Sequence, residues 1–339
     1  MELSTRKENI LASIVRSYIR TGDPVGSKAL CEELGSVSSA TIRNEMSELS
    51  EMGFLDQPHT SAGRVPTEQA FRFYIDRLMK RRDLTEQEKL AIESLIPVGD
   101  GDLEHALHRA SAALSRATRC VSIVTSEADR GTLIHKVELI PLSRHSALIV
   151  LVTSTGVVKN RLFRFPEQLS SELISRFFKL VQDELIGTDI TAWHPAAIQT
   201  VAAKGGVELS ELLSAVGELI SECAESRLEL SGQSNLLSFD GFSAHRARQF
   251  FDLFAQRDEV ISMLDMWNRD AGVIFGADTS YSALEQSSLV VSRYRIGNAQ
   301  TGYVGLIGPL RMDYELLLPS IKYFADKLND SFPKDTVKG

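Results

Sequence analysis

Cysteine is scarce in this chain of 339 residues. The three that occur, Cys31, Cys120 and Cys223, are far apart and show no paired spacing, so the sequence predicts neither a disulfide framework nor a zinc cluster. We expect each to be a small buried residue. His105 and His108 are one helical turn apart, but no carboxylate or cysteine partner stands at ligand spacing, so no metal site is predicted.

Long apolar runs are also missing. No stretch approaches the ~20 apolar residues that a membrane-spanning helix needs, and Met1–Ser4 lacks the charged-then-apolar pattern of a secretory signal. We therefore expect a cytoplasmic protein that makes no membrane contact. With 43% hydrophobic and 24% charged residues, the composition is that of a globular protein of two or three domains.

Motifs of enzyme chemistry do not occur. The sequence has no nucleophile elbow, HExxH, CxxC or phosphate-binding loop. The motif Gly302-x-x-Gly305-x-x-Gly308 lacks dinucleotide-binding spacing, and Pro309 follows where a phosphate-binding helix would need an amide. Arg311 and Asp313 could form a ligand pocket or pair structurally in a turn. The sequence thus predicts neither an enzyme nor a cofactor.

Positive charge is in short supply, since the formal net charge is −8. Residues 1–82 hold 12 Lys+Arg and 11 Asp+Glu, a net +1, whereas the remaining residues hold 25 and 34, a net −9. An acidic body would be repelled by DNA except through the near-neutral N-terminal part, which would orient the encounter. This balance argues against a general nucleic-acid coat and leaves a site-specific DNA-binding protein open.

The N-terminal part does contain a helix-turn-helix pattern followed by a wing. A packing helix ends at Thr21-Gly22-Asp23-Pro24, because Gly terminates a helix and Pro prevents its resumption. Ser27-Lys28-Ala29-Leu30 opens a second helix, which Gly35 turns, and Ser38-Ser39 opens a third. Gly53 to Pro66 then predicts a small hairpin, whose prolines suit edge strands.

The third predicted helix has two chemically different faces. At 100° per residue, Ile42, Met46 and Leu49 form an apolar stripe, and the opposite side carries small and polar residues that include Arg43 and Asn44. In a major groove, arginine can pair with guanine and asparagine with adenine. The candidate DNA-contacting residues of the second and third helices are Ser27, Lys28, Ser38, Ser39, Ala40, Thr41, Arg43, Asn44 and Ser47.

Two further features bear on the DNA-binding interpretation. Ser38 or Ser39 is an expected N-cap, which would present backbone N–H groups toward phosphate. The hairpin residues His59, Thr60, Ser61 and Arg64 are expected where a wing tip contacts sugar and phosphate. Taken alone, the third helix could be an ordinary solvated surface helix, but the flanking packing helix and hairpin favour a winged helix-turn-helix. The basic cluster Lys80-Arg81-Arg82 could contact the DNA backbone or lie in a solvated joint.

Five blocks of residues are spread over nearly the whole chain: Lys7-Glu8-Asn9-Ile10-Leu11, Thr21-Gly22-Asp23-Pro24-Val25-Gly26-Ser27-Lys28, Ser38-Ser39-Ala40-Thr41-Ile42-Arg43-Asn44-Glu45-Met46, Gln57-Pro58-His59-Thr60-Ser61-Ala62-Gly63-Arg64-Val65-Pro66-Thr67 and Gly308-Pro309-Leu310-Arg311-Met312-Asp313-Tyr314. In order and spacing, these blocks resemble the HrcA family of bacterial heat-inducible transcription repressors. The middle third is less similar, apart from Ser231 to Leu237. The loop Gly276-Ala277-Asp278 departs from the more acidic pattern of the family.

Strand-like and helical patterns succeed each other beyond residue 102. Helices are predicted over Leu103–Thr118 and Asp313–Leu328. The strand-like runs are Val121–Val124, Thr132–Ile140, Ser146–Thr153, Val157–Phe163, Gly272–Phe275, Leu289–Tyr294 and Gly302–Gly308. Between the two strand blocks, residues 169–266 are predicted to be largely helical, including Leu209–Leu228 and Ala244–Met263. A sheet interrupted in this way suggests an inserted domain.

The resemblance implies the same arrangement. The predicted fold class is α+β multidomain: a winged helix-turn-helix domain (1–82), a linker (83–102), a GAF-like α/β domain (103–200 and 268–339) and an inserted, mainly helical dimerisation domain (201–267). The resemblance also implies a homodimer that binds an inverted-repeat operator in double-stranded DNA upstream of groE- and dnaK-type chaperone operons, with activity promoted by the chaperonin GroEL. The alternative is a ligand-sensing regulator, in which a small metabolite in the GAF-like domain controls DNA affinity.

Overall fold

The structure is a computed structural model with an N-terminal winged head and a larger body that contains two sheets. Among the helices it describes, none combines the length and apolarity needed to traverse a bilayer. The described residues are 3–35, 37–59, 62–96, 103–126, 131–165, 168, 170–238, 243–267, 269–296 and 300–331.

The head has the predicted order of helix, helix, helix and wing. Its elements are α1 (Thr5–Thr21), α2 (Ser27–Leu34), α3 (Ser39–Glu51), β1 (Leu55–Asp56) and β2 (Val65–Pro66). The predicted apolar stripe of α3 is buried against the apolar face of α1, and Leu30 of α2 closes the core. Gly22 ends α1 in the left-handed conformation, with φ 75°, and its N–H bonds to the carbonyl of Tyr18. Burial of one face of each helix stabilises this unit.

A short connecting segment joins the head to the body. It contains α4 (Glu68–Phe73), one π-helical turn over Tyr74–Leu78, and α5 (Glu86–Glu93). Thr85 and Glu88 form a capping box at the start of α5, which packs against α12 (Tyr314–Ser331) of the body. The interval 83–102 was predicted as a linker, but its first half holds this packed helix. Its residues 97–102 lie outside the described ranges.

The body is built on a five-stranded antiparallel sheet. The other α-helices and strands of the described residues are α6 (Leu103–Thr118), β3 (Val121–Ser126), β4 (Ile134–Ser143), β5 (Ser146–Thr153), β6 (Val158–Arg164), α7 (Ser171–Glu184), α8 (Pro195–Gly205), α9 (Val207–Ala224), β7 (Arg227–Ser231), α10 (Ala244–Ala255), α11 (Arg257–Met266), β8 (Ala271–Phe275), β9 (Ser287–Ile296) and β10 (Gln300–Pro309). The five strands lie in the order β7-β3-β10-β9-β8. Side chains alternate along them: Val290 packs with α6 and α12, whereas Val291 packs with α10 and α11.

A second unit lies between β3 and β7 in the sequence. Strands β4, β5 and β6 form a three-stranded antiparallel sheet that shares its own hydrophobic cluster with α7, α8 and α9. Arg161 on β6 forms ion pairs with Glu218 and Glu222 on α9, which fasten this sheet to its helices. The unit thus has a core separate from that of the five-stranded sheet.

The hydrophobic clusters of the two sheets divide the body at positions other than the predicted domain boundaries, 200/201 and 267/268. The first three strands that follow β3 were assigned to the GAF-like domain but form the second sheet, and α10 and α11 were assigned to the insertion but cover the five-stranded sheet. The first two residues of β7, Arg227 and Leu228, were assigned to the predicted helix Leu209–Leu228, and the predicted helix Ala244–Met263 is two helices that meet at Gln256. Hydrophobic patterns identify strands but do not specify which strands pair. The sequence therefore could not show that β4, β5 and β6 form a sheet of their own.

Candidate nucleic-acid interface

The N-termini of α2 and α3 meet on one side of the head. Ser38 caps α3, and its Oγ accepts a hydrogen bond from the Thr41 N–H at 3.2 Å. The hydroxyls of Ser27 and Ser39, in the first turns of the two helices, are 3.2 Å apart. Unsatisfied N–H groups and two helix dipoles therefore point into the same region, which favours a phosphate group there. Lys28, in the first turn of α2, is exposed beside them.

The outward face of α3 matches the prediction. Ala40, Arg43, Asn44 and Ser47 are all exposed. Neither Arg43 nor Asn44 hydrogen-bonds through its side chain to another residue in the described part of the chain. Their donors and acceptors are therefore open to solvent on a helix of 13 residues, a geometry that can enter a major groove.

The opposite side of α3 is fastened to α1 by ion pairs. Lys7 lies 2.9 Å from Glu45 and 2.7 Å from Glu48, and the pKa of Lys7 is raised mainly by its hydrogen bonds to these two carboxylates. The side chains of Lys7 and Glu45 are only 18% and 13% exposed, so this pair lies at the edge of the contact between α1 and α3.

The wing is joined to the turn between α1 and α2. Leu55 pairs with Pro66 and Asp56 with Val65, and a further bridge links Val25 to Arg64 through two backbone hydrogen bonds of 2.8 and 2.9 Å. A Cβ atom at Gly63 would lie 2.4 Å from the carbonyl oxygen of Val25, so only glycine permits this close approach. The hairpin and the α2 start consequently form one surface.

Arg64 is at the base of the wing and not at the predicted tip. Its backbone lies beside Val25, two residues before Ser27, and its Nε is buried without a hydrogen-bond partner among the described atoms. His59 is exposed nearer the tip, where its carbonyl accepts from the Ala62 N–H at 2.9 Å. Thr60 and Ser61 lie outside the described residues. The bridge to Val25 was not foreseen; the glycine at position 63 is its signal in the sequence.

The residues of the basic cluster Lys80-Arg81-Arg82 differ in their surroundings. Arg82 donates to both carboxylate oxygens of Glu88, at 2.9 and 2.8 Å, and this hydrogen bonding lowers the pKa of Glu88 to about 2. Arg82 therefore belongs to the joint at the start of α5. Lys80 and Arg81 are exposed.

The other polar candidates have packing roles. The Arg311 guanidinium lies against the backbone of Gly22, and Asp313 accepts a hydrogen bond from the Leu316 N–H at 3.1 Å at the start of α12. In β10, a Cβ atom at Gly302 would lie 2.0 Å from the Thr125 carbonyl oxygen, so close packing accounts for this glycine.

The side chains with metal or redox potential show no assembled site. Burial raises the pKa of the Cys120 and Cys223 thiols to about 11, whereas Cys31 is partly exposed and donates to the Val37 carbonyl at 3.2 Å. Within the described ranges, no cluster of three or more His, Cys, Asp or Glu residues could hold a metal ion. The side chain of His105 lies outside this description.

Comparison with known proteins agrees with the geometry of the head. The family described as "Winged helix-turn-helix transcription repressor, HrcA DNA-binding" matches residues 2–77, and "HrcA protein C terminal domain" matches residues 104–317. A crystal structure described as that of a hypothetical protein is similar at a TM-score of 0.71 and 26% identity, covering 98% of this chain and 99% of that one.

Curated relatives extend the match to almost the full length. The "Heat-inducible transcription repressor HrcA" of Acetivibrio thermocellus is 34% identical over 339 residues, covering 97% of this chain and 96% of that protein. The protein of the same name from Syntrophobacter fumaroxidans is 34% identical over 338 residues and covers 97% of each chain. The ligand-sensing alternative gains no support from these matches. The chain belongs to the HrcA family of heat-inducible transcription repressors, with a winged helix-turn-helix DNA-binding domain at its N-terminus.

Proposed function

We propose that this chain is a dimeric, cytoplasmic, sequence-specific repressor that binds an inverted-repeat operator upstream of groE- and dnaK-type chaperone operons. The observation that carries the proposal is the exposed pair Arg43 and Asn44 on α3, beside two converging helix N-termini. A helix with this face fits the major groove, and the helix starts fit the flanking phosphates. Family membership supplies the repressor class.

Each candidate residue has a role on the DNA. Arg43 reads guanine through O6 and N7, and Asn44 reads adenine through N6 and N7, while the small side chains of Ala40 and Ser47 allow close approach to base edges. The phosphate and sugar contacts are assigned to Ser27, Lys28, Ser38, Ser39, Thr41, His59, Thr60, Ser61 and Arg64. These contacts fix register, so specificity resides mainly in the α3 pair.

Dimerisation is assigned to the second sheet of the body. The face of this sheet that is turned away from α7–α9 carries Ile140, Leu142, Val158 and Leu162, which are 45% to 60% exposed. Ile140 and Leu162 flank Leu148 across the strands, so the apolar side chains are contiguous. Contiguous exposed apolar surface marks an interaction site, and a second copy of this sheet is its self-complementary occupant.

Dimerisation matters because one head covers only a half-site. Two heads held by one dimer make the second binding event intramolecular, which raises the overall affinity. Two-fold symmetry of the dimer then corresponds to an inverted repeat in the operator.

The active fold is proposed to depend on the chaperonin GroEL. The chain has three separate hydrophobic clusters, and chains beyond ~150 residues commonly fold through aggregation-prone intermediates. The buried, high-pKa thiols of Cys120 and Cys223 are poor redox triggers. Heat would divert the chaperonin to other clients, lower the amount of active dimer and release the operon.

The test is competition binding with the full chain. Labelled duplex from upstream of the chaperone genes is bound by the protein and challenged with unlabelled random duplex at several salt concentrations. A repressor of this class prefers its operator by roughly 10³-fold or more. Equal competition by operator and random duplex would refute the proposal.

A further inference from the structure

The winged head is attached to the body by contacts that leave its DNA-facing side free. Arg72 on α4 donates to Asp278 of the loop after β8 at 2.6 Å. The guanidinium also lies 4.4 Å from the ring centroid of Phe275, and its Nε donates to Glu68 at 2.9 Å. Glu68 of α4 thus holds Arg72 in one orientation, in which its guanidinium contacts Asp278 and Phe275 of the body.

A second attachment is aromatic. Tyr74, in the π-helical turn, donates its hydroxyl hydrogen to Glu315 of α12. Phe71 and Tyr314 meet edge to face, with ring centroids 6.2 Å apart. These three aromatic residues are fully buried, and desolvation together with Glu315 raises the pKa of Tyr74.

Two more contacts complete the attachment. The Arg311 guanidinium packs on Gly22 at the end of α1. Glu93 of α5 accepts a hydrogen bond from Tyr323 at 2.5 Å and pairs with Lys327 at 3.0 Å. The end of α1 and the connecting segment from α4 to α5 therefore contact the body at several places, and each contact contributes to the orientation of the head. Domains joined by a single small interface would instead move relative to each other.

None of these contacts uses the DNA-facing residues. Arg43 and Asn44 remain exposed while α1, α4 and α5 meet the body. The attachment consequently does not block DNA; it fixes where the body presents α3. In a dimer, the separation of the two recognition helices then depends on the orientation of each head on its body.

We propose that Arg72 and Asp278 are positioning residues that set the half-site spacing accepted by the dimer. This inference rests on the proposed function. With the heads fixed, two half-sites at the correct separation are bound together, and other separations are bound poorly. With the heads released, a flexible tether admits many separations, so affinity for the correct spacing falls and the preference among spacings is lost.

The experiment uses full-length variants and duplexes that carry two half-sites at the natural spacing, at spacings changed by a few base pairs, and a single half-site. Asp278→Arg places like charges together, and Asp278→Glu keeps the pair. The matched control is Asp252→Arg. Asp252 is also an exposed acidic residue that pairs with an arginine, but its partner Arg248, 3.9 Å away, lies on the same helix, α10. A second readout is limited proteolysis of the DNA-free chain between α4 and α5.

We expect Asp278→Arg to lower affinity at the natural spacing by about threefold and to reduce the preference for that spacing, since the pair is partly exposed and the aromatic contacts remain. Half-site affinity should stay within about twofold, cleavage between α4 and α5 should accelerate, and Asp278→Glu and Asp252→Arg should behave as wild type. An unchanged spacing preference in Asp278→Arg would overturn the inference, as would an equal loss on the half-site. If wild type preferred no operator, the proposed function would fail instead, and unchanged proteolysis in Asp278→Arg would separately refute the attachment role.

Discussion

Sequence discrimination is proposed to rest on the side chains of Arg43 and Asn44. Both stand on the exposed face of α3, whose other face is fixed by the buried Ile42, Met46 and Leu49. A recognition residue must be presented by a rigid element, because each base contact depends on a geometry fixed before binding. Here the rigidity comes from the packing of α3 on α1. The chemistry comes from two side chains whose hydrogen-bond donors make no bond to another described residue.

Replacing either residue should damage specific binding more than nonspecific binding. Arg43→Ala and Asn44→Ala each remove a paired contact worth about 1–3 kcal/mol, or about 5- to 150-fold in preference for operator over random duplex. The measurement is the ratio of the two affinities at one salt concentration, with Arg248→Ala on α10 as an exposed-arginine control. An unchanged ratio for Arg43→Ala would remove it from the base-reading role.

Arg64 should behave differently, because it lies at the wing base next to the start of α2. The residue as a whole is only partly buried, so part of its side chain can reach a phosphate beside the α2 start. Arg64→Ala should weaken operator and random duplex alike and reduce the slope of log affinity against log salt by about one. A selective loss on the operator alone, with an unchanged slope, would show instead that Arg64 reads bases.

The second sheet is the element to which we assign the proposed dimer interface. Its inner face packs against three helices, and its outer face leaves Ile140 and Leu162 exposed on neighbouring rows. Deleting the interval from 204 to 264 would remove strand β7 of the five-stranded sheet, together with α10 and most of α11, which cover that sheet. Point substitutions on the outer face are therefore the sharper test.

Leu162→Asp and Ile140→Asp should convert the dimer into monomers. A carboxylate buried without a partner in the interface costs at least about 2 kcal/mol, or roughly 30-fold in the dimer dissociation constant. Met266→Asp is the control, since Met266 is also exposed and apolar but lies on α11. Sedimentation across a concentration series measures the effect. Dimers of Leu162→Asp as stable as wild type would place the interface elsewhere.

Helices and strands could be predicted from the sequence where a single local pattern determines their structure. The faces of α3, the stop at Gly22 and the full length of α6 follow from periodicity and helix-terminating residues, and the structure agrees. Strand β7 was not foreseeable, because Leu228 and Leu230 continue the apolar spacing of α9 and only pairing with β3 makes that segment a strand. The Arg72–Asp278 contact spans 206 positions, so no local pattern could indicate it.

The whole molecule joins an acidic body to a head that carries the DNA-facing residues. The net charge of −8 arises outside residues 1–82, so electrostatics favour approach by the head alone. Several separate clusters must form before two heads are presented together, and each adds a step at which folding can stall. We propose that this requirement makes the amount of active dimer sensitive to folding assistance.

Refolding should therefore depend on free chaperonin. Denatured chain is returned to normal temperature with GroEL present, absent, or saturated by an unfolded competitor, and operator binding is measured afterwards. We expect recovery to be highest with free GroEL and low in the other two conditions. Equal recovery in all three would sink the chaperonin mechanism without affecting the DNA-binding assignments.

The central claim is that two winged heads of one dimer read an inverted repeat, and DNA protection tests it most directly. Full-length protein is bound to the region upstream of the chaperone genes and probed for protected bases and phosphates. The account predicts two protected segments related by two-fold symmetry, with major-groove protection in each half that weakens in Arg43→Ala. Absence of protection, or a single asymmetric segment unaffected by Arg43→Ala, would contradict it.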